Sequence, residues 1–451
     1  MADPPPTRVV ADPPMRDWRV TPRHGRSTPI IATGHQPTLW HPGILAKDLA
    51  ADALARRVGG SALHLVVEHN PLGPITLDLP TRQGDTLGVR RLSLGARPTA
   101  ATLPPNRTPA LDPGRVAQQL DDAAASNNLP PVRDGLRRIA EAYASAGDRD
   151  RLSAQTTAVL DALKRPYLSQ PTRARPTSAL VTQRFVDRLL ADPVRCVRCY
   201  NRAAHAHPDA GVRPLYLGRD VVEAPLWAQD RGPSVPVFVD LGDSARPFLF
   251  TQHQQIGLAG PDALGYLRPR AVTLSAVMRS EHCDLFIHGT GGGVYDRVTE
   301  RWWQDWIGEP LAPMAVVSAD VYLPLSAPQA TRDELIHEQW FAHHLPHNVD
   351  LYTDASDDTE AALRAEKRRL LDHMNDDRDK RRRSKAFQRI HAINAELCTR
   401  HRTKLAEAEA RLTQARTGVA NAAIARRRDW CFALYPPDSL MALRNGIAQF
   451  A

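Results

Sequence analysis

The sequence predicts an α/β protein: a Rossmann-like parallel sheet split by a long helical and β insert, followed by a long C-terminal α-helical coiled coil. Three observations predict it. Residues 30–67 alternate strand, helix and strand within about 40 residues, as a βαβ unit requires. A second strand runs into a glycine-rich turn and a helix at 283–306. From Thr359 to Arg428 there is no proline and only one glycine, Gly418, while apolar residues recur mostly at seven-residue steps.

A chain of 451 residues is too long for one core, so several units are expected. Residues 1–28 read as a disordered leader, with Pro4-Pro5-Pro6, Pro13-Pro14 and few apolar side chains. Residues 29–110 read as the first half of the core. Here Ile30 to Thr33 form a strand, Gly34-His35-Gln36 a polar turn, and Ile44 to Val58 a helix opening behind His41-Pro42-Gly43. Ser61 to Val67 is a continuous apolar run, as in a strand buried on both faces, and ends in Glu68-His69-Asn70-Pro71. The alternation from Ile75 to Leu94 predicts a hairpin turning at Gly84-Asp85.

Residues 111–211 read as a helical insert and 212–330 as the second half of the core. That second half has strands at Arg213–Leu217, Val235–Leu241, Pro247–Phe250 and Cys283–His288, and helices at Ala271–Arg279 and through Trp302, Trp303 and Trp306. Residues 331–429 read as the coiled coil, with Leu363, Leu370, Met374, Ile390, Leu397, Leu405, Leu412 and Val419 on its stripe. Residues 430–451 are expected to pack back on the body.

Five scattered cysteines make no disulfide framework, and no run reaches the roughly 18 apolar residues of a membrane span, so a cytoplasmic protein without membrane contact is expected. The net charge of +8 is local: Arg364 to Arg428 carries 19 Lys and Arg against 8 Asp and Glu, or +11, leaving the remainder slightly acidic. The Arg381-Arg382-Arg383 run reads as a solvated face, and with no stacking or base-reading motif nucleic acid is not the expected partner. Cys196 and Cys199 with His205 and His207, and the group His337, His343, His344 and His347, lack the spacing of metal sites, so no metal is predicted.

The carboxyl edge of a parallel sheet is where helix N-termini meet anionic ligands. Thr33, Gly34, Gln36, Gly43 and Lys47 are therefore candidate contacts for the phosphates of ATP or ADP. His35 and His41 are candidates for neutralising charge that develops there. Glu68 and His69 are candidate base residues, and Asn70 a substrate contact. Gly289, Gly291, Gly292, Gly293 and Tyr295 form a second ligand turn without the lysine of a P-loop. Arg268, Arg270 and Asp296 are candidate substrate contacts. For the first two turns an ordinary loop remains the alternative.

Thr33-Gly34-His35-Gln36, Pro42-Gly43 and Lys47 resemble the Thr-Gly-Gln-Gln turn, Gly-Pro and helix lysine of the bacillithiol biosynthesis cysteine-adding enzyme family, BshC. Glu68-His69-Asn70 resembles that family's second turn. Arg268-Pro269 and Gly289 to Tyr295 resemble its late Arg-Pro and Gly-rich stretch, and a coiled coil closes both. The first turn also resembles the Gly-x-Gln-Pro-Thr start of tryptophanyl-tRNA synthetases. The resemblance implies a Rossmann-like core akin to class I aminoacyl-tRNA synthetases and a ligase joining a cysteine-like amino acid to a sugar amine, with nucleotide involvement. His35 stands where the family has Gln, Asn70 where it has an acid, and no Lys-Met-Ser-Lys-Ser loop is present. The alternative is a non-catalytic nucleotide-binding or scaffold protein. In either case a homodimer through the coiled coil is expected, with an intramolecular antiparallel hairpin that buries the same stripe as the alternative.

Overall fold

A mixed α/β architecture is seen in the computed structural model, which describes residues 7–95, 103–229, 234–242, 247–252, 255–256, 264–376 and 378–450. Two units are present. Among the described residues the larger draws on 7–81, 89–324 and 427–450, the smaller on 82–88 and 325–426.

The larger unit begins with strand β1 (Arg8–Asp12), then β2 (Ile30–His35), helix α1 (Pro42–Arg57) and β3 (Ser61–Val66). The predicted hairpin is β4 (Thr76–Gln83) and β5 (Thr86–Ser93). Helices α2 (Pro113–Ala125), α3 (Pro130–Ser145) and α4 (Leu152–Lys164) lead to β6 (Arg173–Pro176), α5 (Gln183–Ala191) and α6 (Pro193–Ala206). After β7 (Val221–Ala228), β8 (Val235–Asp240), β9 (Phe248–Phe250) and β10 (Leu267–Pro269) come α7 (Ala271–Val277), β11 (Leu285–His288), α8 (Thr290–Trp306) and β12 (Met314–Asp320).

The main sheet has the order β1-β12-β11-β2-β3-β6. All of its pairs are parallel except β1 with β12. All of β11 is buried, as are Ile31, Ala32 and Thr33 of β2, which explains runs without polar alternation. Helix α1 is buried along nearly its whole length because it contacts both the sheet and the C-terminal helix. On another flank Ala32, Leu65 and Phe286 join the apolar core that includes Trp302 and Trp306 of α8.

Several expectations need correction. The described part of the leader is structured: β1 pairs in register from Arg8 with Asp320 to Asp12 with Val316, and Met15 and Trp18 are buried. Asp284, itself buried, clamps the leader by accepting from the amides of Arg23 and Ile30, each at 2.7 Å. Pro4-Pro5-Pro6 lies outside the described residues. Arg213–Leu217 is not a strand, and β7 to β10 form a separate antiparallel sheet, order β10-β7-β8-β9. The late half of the chain thus returns only β11 and β12 to the main sheet, while the predicted helical insert supplies its edge, β6.

The smaller unit is helical beyond the hairpin tip: α9 (Arg332–His344), a short α10 (Val349–Tyr352), α11 (Asp358–Asp376), α12 (Lys380–Arg400) and α13 (Arg402–Ala425). The heptad stripe does not run through it unbroken. Leu363, Ile393 and Leu397 are buried with Val349, whereas Leu405, Leu412 and Val419 are half-buried. Helix α13 instead buries small residues, Ala408, Ala415, Gly418 and Ala422. Asn421 holds the hairpin tip, accepting from Leu87 N at 2.8 Å and donating to Asp85 O at 2.7 Å.

The chain returns to the larger unit at Arg427. Trp430, Phe432, Leu434 and Tyr435 are buried there, and helix α14 (Pro437–Phe450) contacts α1, as expected of a closing segment.

Candidate functional site

Parallel pairing puts the carboxyl ends of β2, β3, β11 and β12 on one rim, and the turns leaving those strands enclose a crevice of about 400 Å³. Gly34, His35, Gln36, His41, Gly43 and Lys47 line it from the first turn and α1. His69 and Asn70 follow from the second turn, and Gly289, Gly291, Gly292 and Tyr295 from the third. The three predicted loops are therefore brought together. No Asp or Glu is among the lining residues, whose ionisable members are Lys47, Tyr295 and four histidines.

The start of α1 is closed to a ligand by its own cap. His41 Nδ1 accepts from Gly43 N at 3.1 Å, Pro42 has no N–H, and Ile44 N donates to His41 O at 3.0 Å. Glycine is required at 43, since a Cβ would stand 2.9 Å from the His41 ring and 3.0 Å from Ala319 O. The start of α8 is open. Its N-cap is Gly289, which has no side chain to fold back. Among the described residues the amides of Thr290, Gly291 and Gly292 have no acceptor, and a Cβ on Gly291 would meet nothing within 4 Å. Three unpaired N–H groups at the positive end of a 17-residue helix form an anion cradle. The late glycine turn thus offers the unpaired donors, and the first turn supplies walls.

Lys47 lies between the two turns. Its Nζ donates to Gly34 O at 2.6 Å, and its Cδ would be 3.8 Å from a Cβ on Gly289. Burial lowers its pKa to about 8, with Asp48 pulling the other way. Burial, then Lys47, holds His35 down to about 3, and burial, then Arg268, holds His69 down to about 4. Burial also lowers His41. These three imidazoles are neutral at physiological pH, so the crevice presents donors, lone pairs and one lysine.

His288, at the end of β11, is the residue the sequence reading missed. Its Nε2 is 3.2 Å from Asp296 Oδ2 and 3.2 Å from Ser275 Oγ. Asp296 is fully buried, also receives Arg279 Nη1 at 2.6 Å, and titrates near 2 despite burial because His288 and Arg279 favour its charge. A carboxylate fixing one imidazole nitrogen sets the tautomer and orients the ring toward the crevice. The ring packs so tightly that a Cβ on Gly292 would fall 2.4 Å from His288 Nδ1. The sequence signal was a histidine closing a buried strand directly before a glycine.

The other predicted residues stand outside the crevice lining. Thr33 Oγ1 donates to Ile287 O at 2.9 Å across the sheet. Glu68 accepts from Ser178 Oγ at 2.7 Å. Gly293 abuts Val316, which a Cβ would meet at 2.4 Å. Arg268 is buried against Gln229 and the carbonyls of Gly265 and Leu267, and Arg270 pairs with Glu223 over the Trp227 ring. Asp296 is buried behind the crevice, paired to His288 and Arg279. Cys196 and Cys199 are buried, and among the described residues no group of three His, Cys, Asp or Glu has metal-site geometry.

Among the described residues no helix is long and apolar enough to cross a membrane. Comparison with models of protein families finds no match to this chain, and none of the curated proteins matches it significantly.

Proposed function

We propose that the protein is a nucleotide-dependent ligase whose nucleotide phosphates dock on the open first turn of α8 beside Lys47, at the carboxyl rim of a Rossmann-type sheet. One observation carries this reading: three unpaired amides and a buried lysine face a cavity that no carboxylate lines. The volume lies within the range of small-molecule sites, about 300–1,000 Å³. When bound, ATP supplies an activated phosphoryl or adenylyl group. Lys47 and the amides of Thr290 to Gly292 hold its charge. That phosphoryl or adenylyl group would pass to the amino acid's carboxylate with release of ADP or pyrophosphate. The sugar amine would then attack the activated acyl carbon, expelling phosphate or AMP, while His288, oriented by Asp296, takes up the amine's proton. The choice of a cysteine-like amino acid and a sugar amine as substrates rests on the BshC resemblance.

Thermal unfolding with ATP, ADP and inorganic phosphate tests the first half. A saturating nucleotide raises the melting temperature by about 3 °C. Gly291→Val, which fills the crevice where a side chain meets no neighbour, and Lys47→Met abolish that rise. An equal shift with phosphate alone leaves an anion site and removes the nucleotide; no shift with any of the three removes the proposal.

A second reading, a nucleotide-binding protein without catalysis, is favoured by the position of Glu68, which is engaged with Ser178 and leaves the crevice without an acid. Incubation with ATP, cysteine and glucosaminyl acceptors, read by product mass, separates the two. Product that disappears in Asp296→Asn supports the ligase.

A further inference from the structure

The smaller unit carries a file of rings, most of them exposed, that its sequence does not announce, because they come from three separate segments. In α9 the Trp340 and His344 rings stack at 4.3 Å, with His343 5.2 Å from His344. His343 lies 6.0 Å from His347, in the turn after α9, and His347 lies 6.5 Å from His391 of α12. Phe387 is 4.3 Å beyond His391. Trp340 is 49% and Phe387 54% exposed, His343, His347 and His391 are exposed and His344 is half-buried; Trp340 and His344 lie face to face, and the other neighbours meet edge-on.

The file continues into charge. On α12, residues 380, 383, 387 and 391 fall on one stripe, at spacings of three and four. Lys380 and Arg383 therefore extend the line that Phe387 and His391 begin. In the run Lys380–Lys385 all six side chains are exposed, and among the described residues only Arg382 has an ion-pair partner, Asp379 at 3.7 Å.

We infer that this face binds single-stranded nucleic acid, its bases stacking along the rings from Trp340 to Phe387 and its phosphates meeting the cations at the start of α12. Aromatic faces in file beside unpaired cations are the two components of such sites. Charge complementarity selects the occupant: the rings end at a cationic run, and four of the six are imidazoles, which hydrogen-bond base edges and make a poor dry contact for a second protein. A duplex keeps its bases stacked inside and leaves the rings unused.

The test is fluorescence anisotropy of the full chain with labelled oligonucleotides of about 12 residues, within the range such sites span. Uridine-rich RNA, thymidine-rich DNA and a matched RNA duplex are compared over a salt series. Either single strand, or both, binds at least tenfold tighter than the duplex, and the two arms identify which. Trp340→Ala and Phe387→Ala each weaken single-strand binding about tenfold. Arg383→Ala lowers the salt slope by about 0.7. These side chains are exposed, so the melting temperature and the nucleotide-induced shift stay as they are. Absence of single-strand binding at low salt overturns the inference, as does equal affinity for the duplex. If Trp340→Ala converts a dimer to a monomer and leaves oligonucleotide binding intact, the face is a contact between two copies and the inference is also overturned.

Discussion

His69 sits where two demands meet. Its Nδ1 is 2.8 Å from Thr177 Oγ1, and burial keeps it neutral down to about pH 4. The unfolded chain takes up that proton near pH 6.5. Between these values the unfolded state binds more protons, so stability rises with pH across the window and is lost as pH falls through it. His35 adds the same slope from 6.5 to about 3. Melting temperature measured from pH 7.5 to 4 should therefore fall steadily, and His35→Gln or His69→Gln should each flatten the curve by about one proton. Residue-level legibility was uneven for physical reasons. Glu68, His69 and Asn70 are adjacent in sequence, yet two of them line the crevice and Glu68 faces Ser178; a turn gives no periodicity from which to read direction. Asp296, expected to be a substrate contact, is buried outside the crevice; its spacing of three and seven to the buried Thr299 and Trp303 marks the inward face of α8.

At the scale of elements, apolar strands were legible and the polar edge strands of the main sheet were not. β2 opens on Ile-Ile-Ala and β11 on Leu-Phe-Ile. β6 is Arg-Ala-Arg-Pro, held by pairing to β3 on one side only, and nothing in its composition separates it from a loop. β12 lies inside the sheet and alternates, with Ala315, Val317 and Ala319 inward, but Pro313 directly precedes it and obscures its start. Helix contacts depended on small residues that a search for leucines passes over. In α3, Gly135 meets the backbone of the turn at 432–434, where a Cβ would lie 2.4 Å from Ala433 O and 2.5 Å from Leu434 Cα. Arg138, one turn later, donates to Ala433 O at 2.8 Å and Tyr435 O at 2.9 Å. Because backbone cannot swing aside as a side chain does, Gly135→Ala is expected to cost about 1–3 kcal/mol, read by urea unfolding.

On the scale of the whole molecule, the larger unit is assembled from distant stretches. Neighbours in its sheet come from residues 8–12, 30–66, 173–176 and 285–320, and the last helix contacts α1. Long-range pairing of this kind is slow to form. It also makes the end of the chain essential: α14 buries Leu440, Leu443 and Ile447. Deleting residues 437–451 uncovers that side of α1, and the expected outcome is loss of the cooperative unfolding transition by scanning calorimetry.

The whole sequence contains only six lysines, and the larger unit holds just two, Lys47 and Lys164. Lys164 is sealed, paired to Asp48 at 3.0 Å and Asp161 at 3.1 Å. Lys47 faces the crevice with a pKa near 8, so a sizeable share of its amine is uncharged at mildly alkaline pH. An acylating reagent should therefore label this unit at a single position, and shielding of that position by an added compound gives a direct footprint of occupancy.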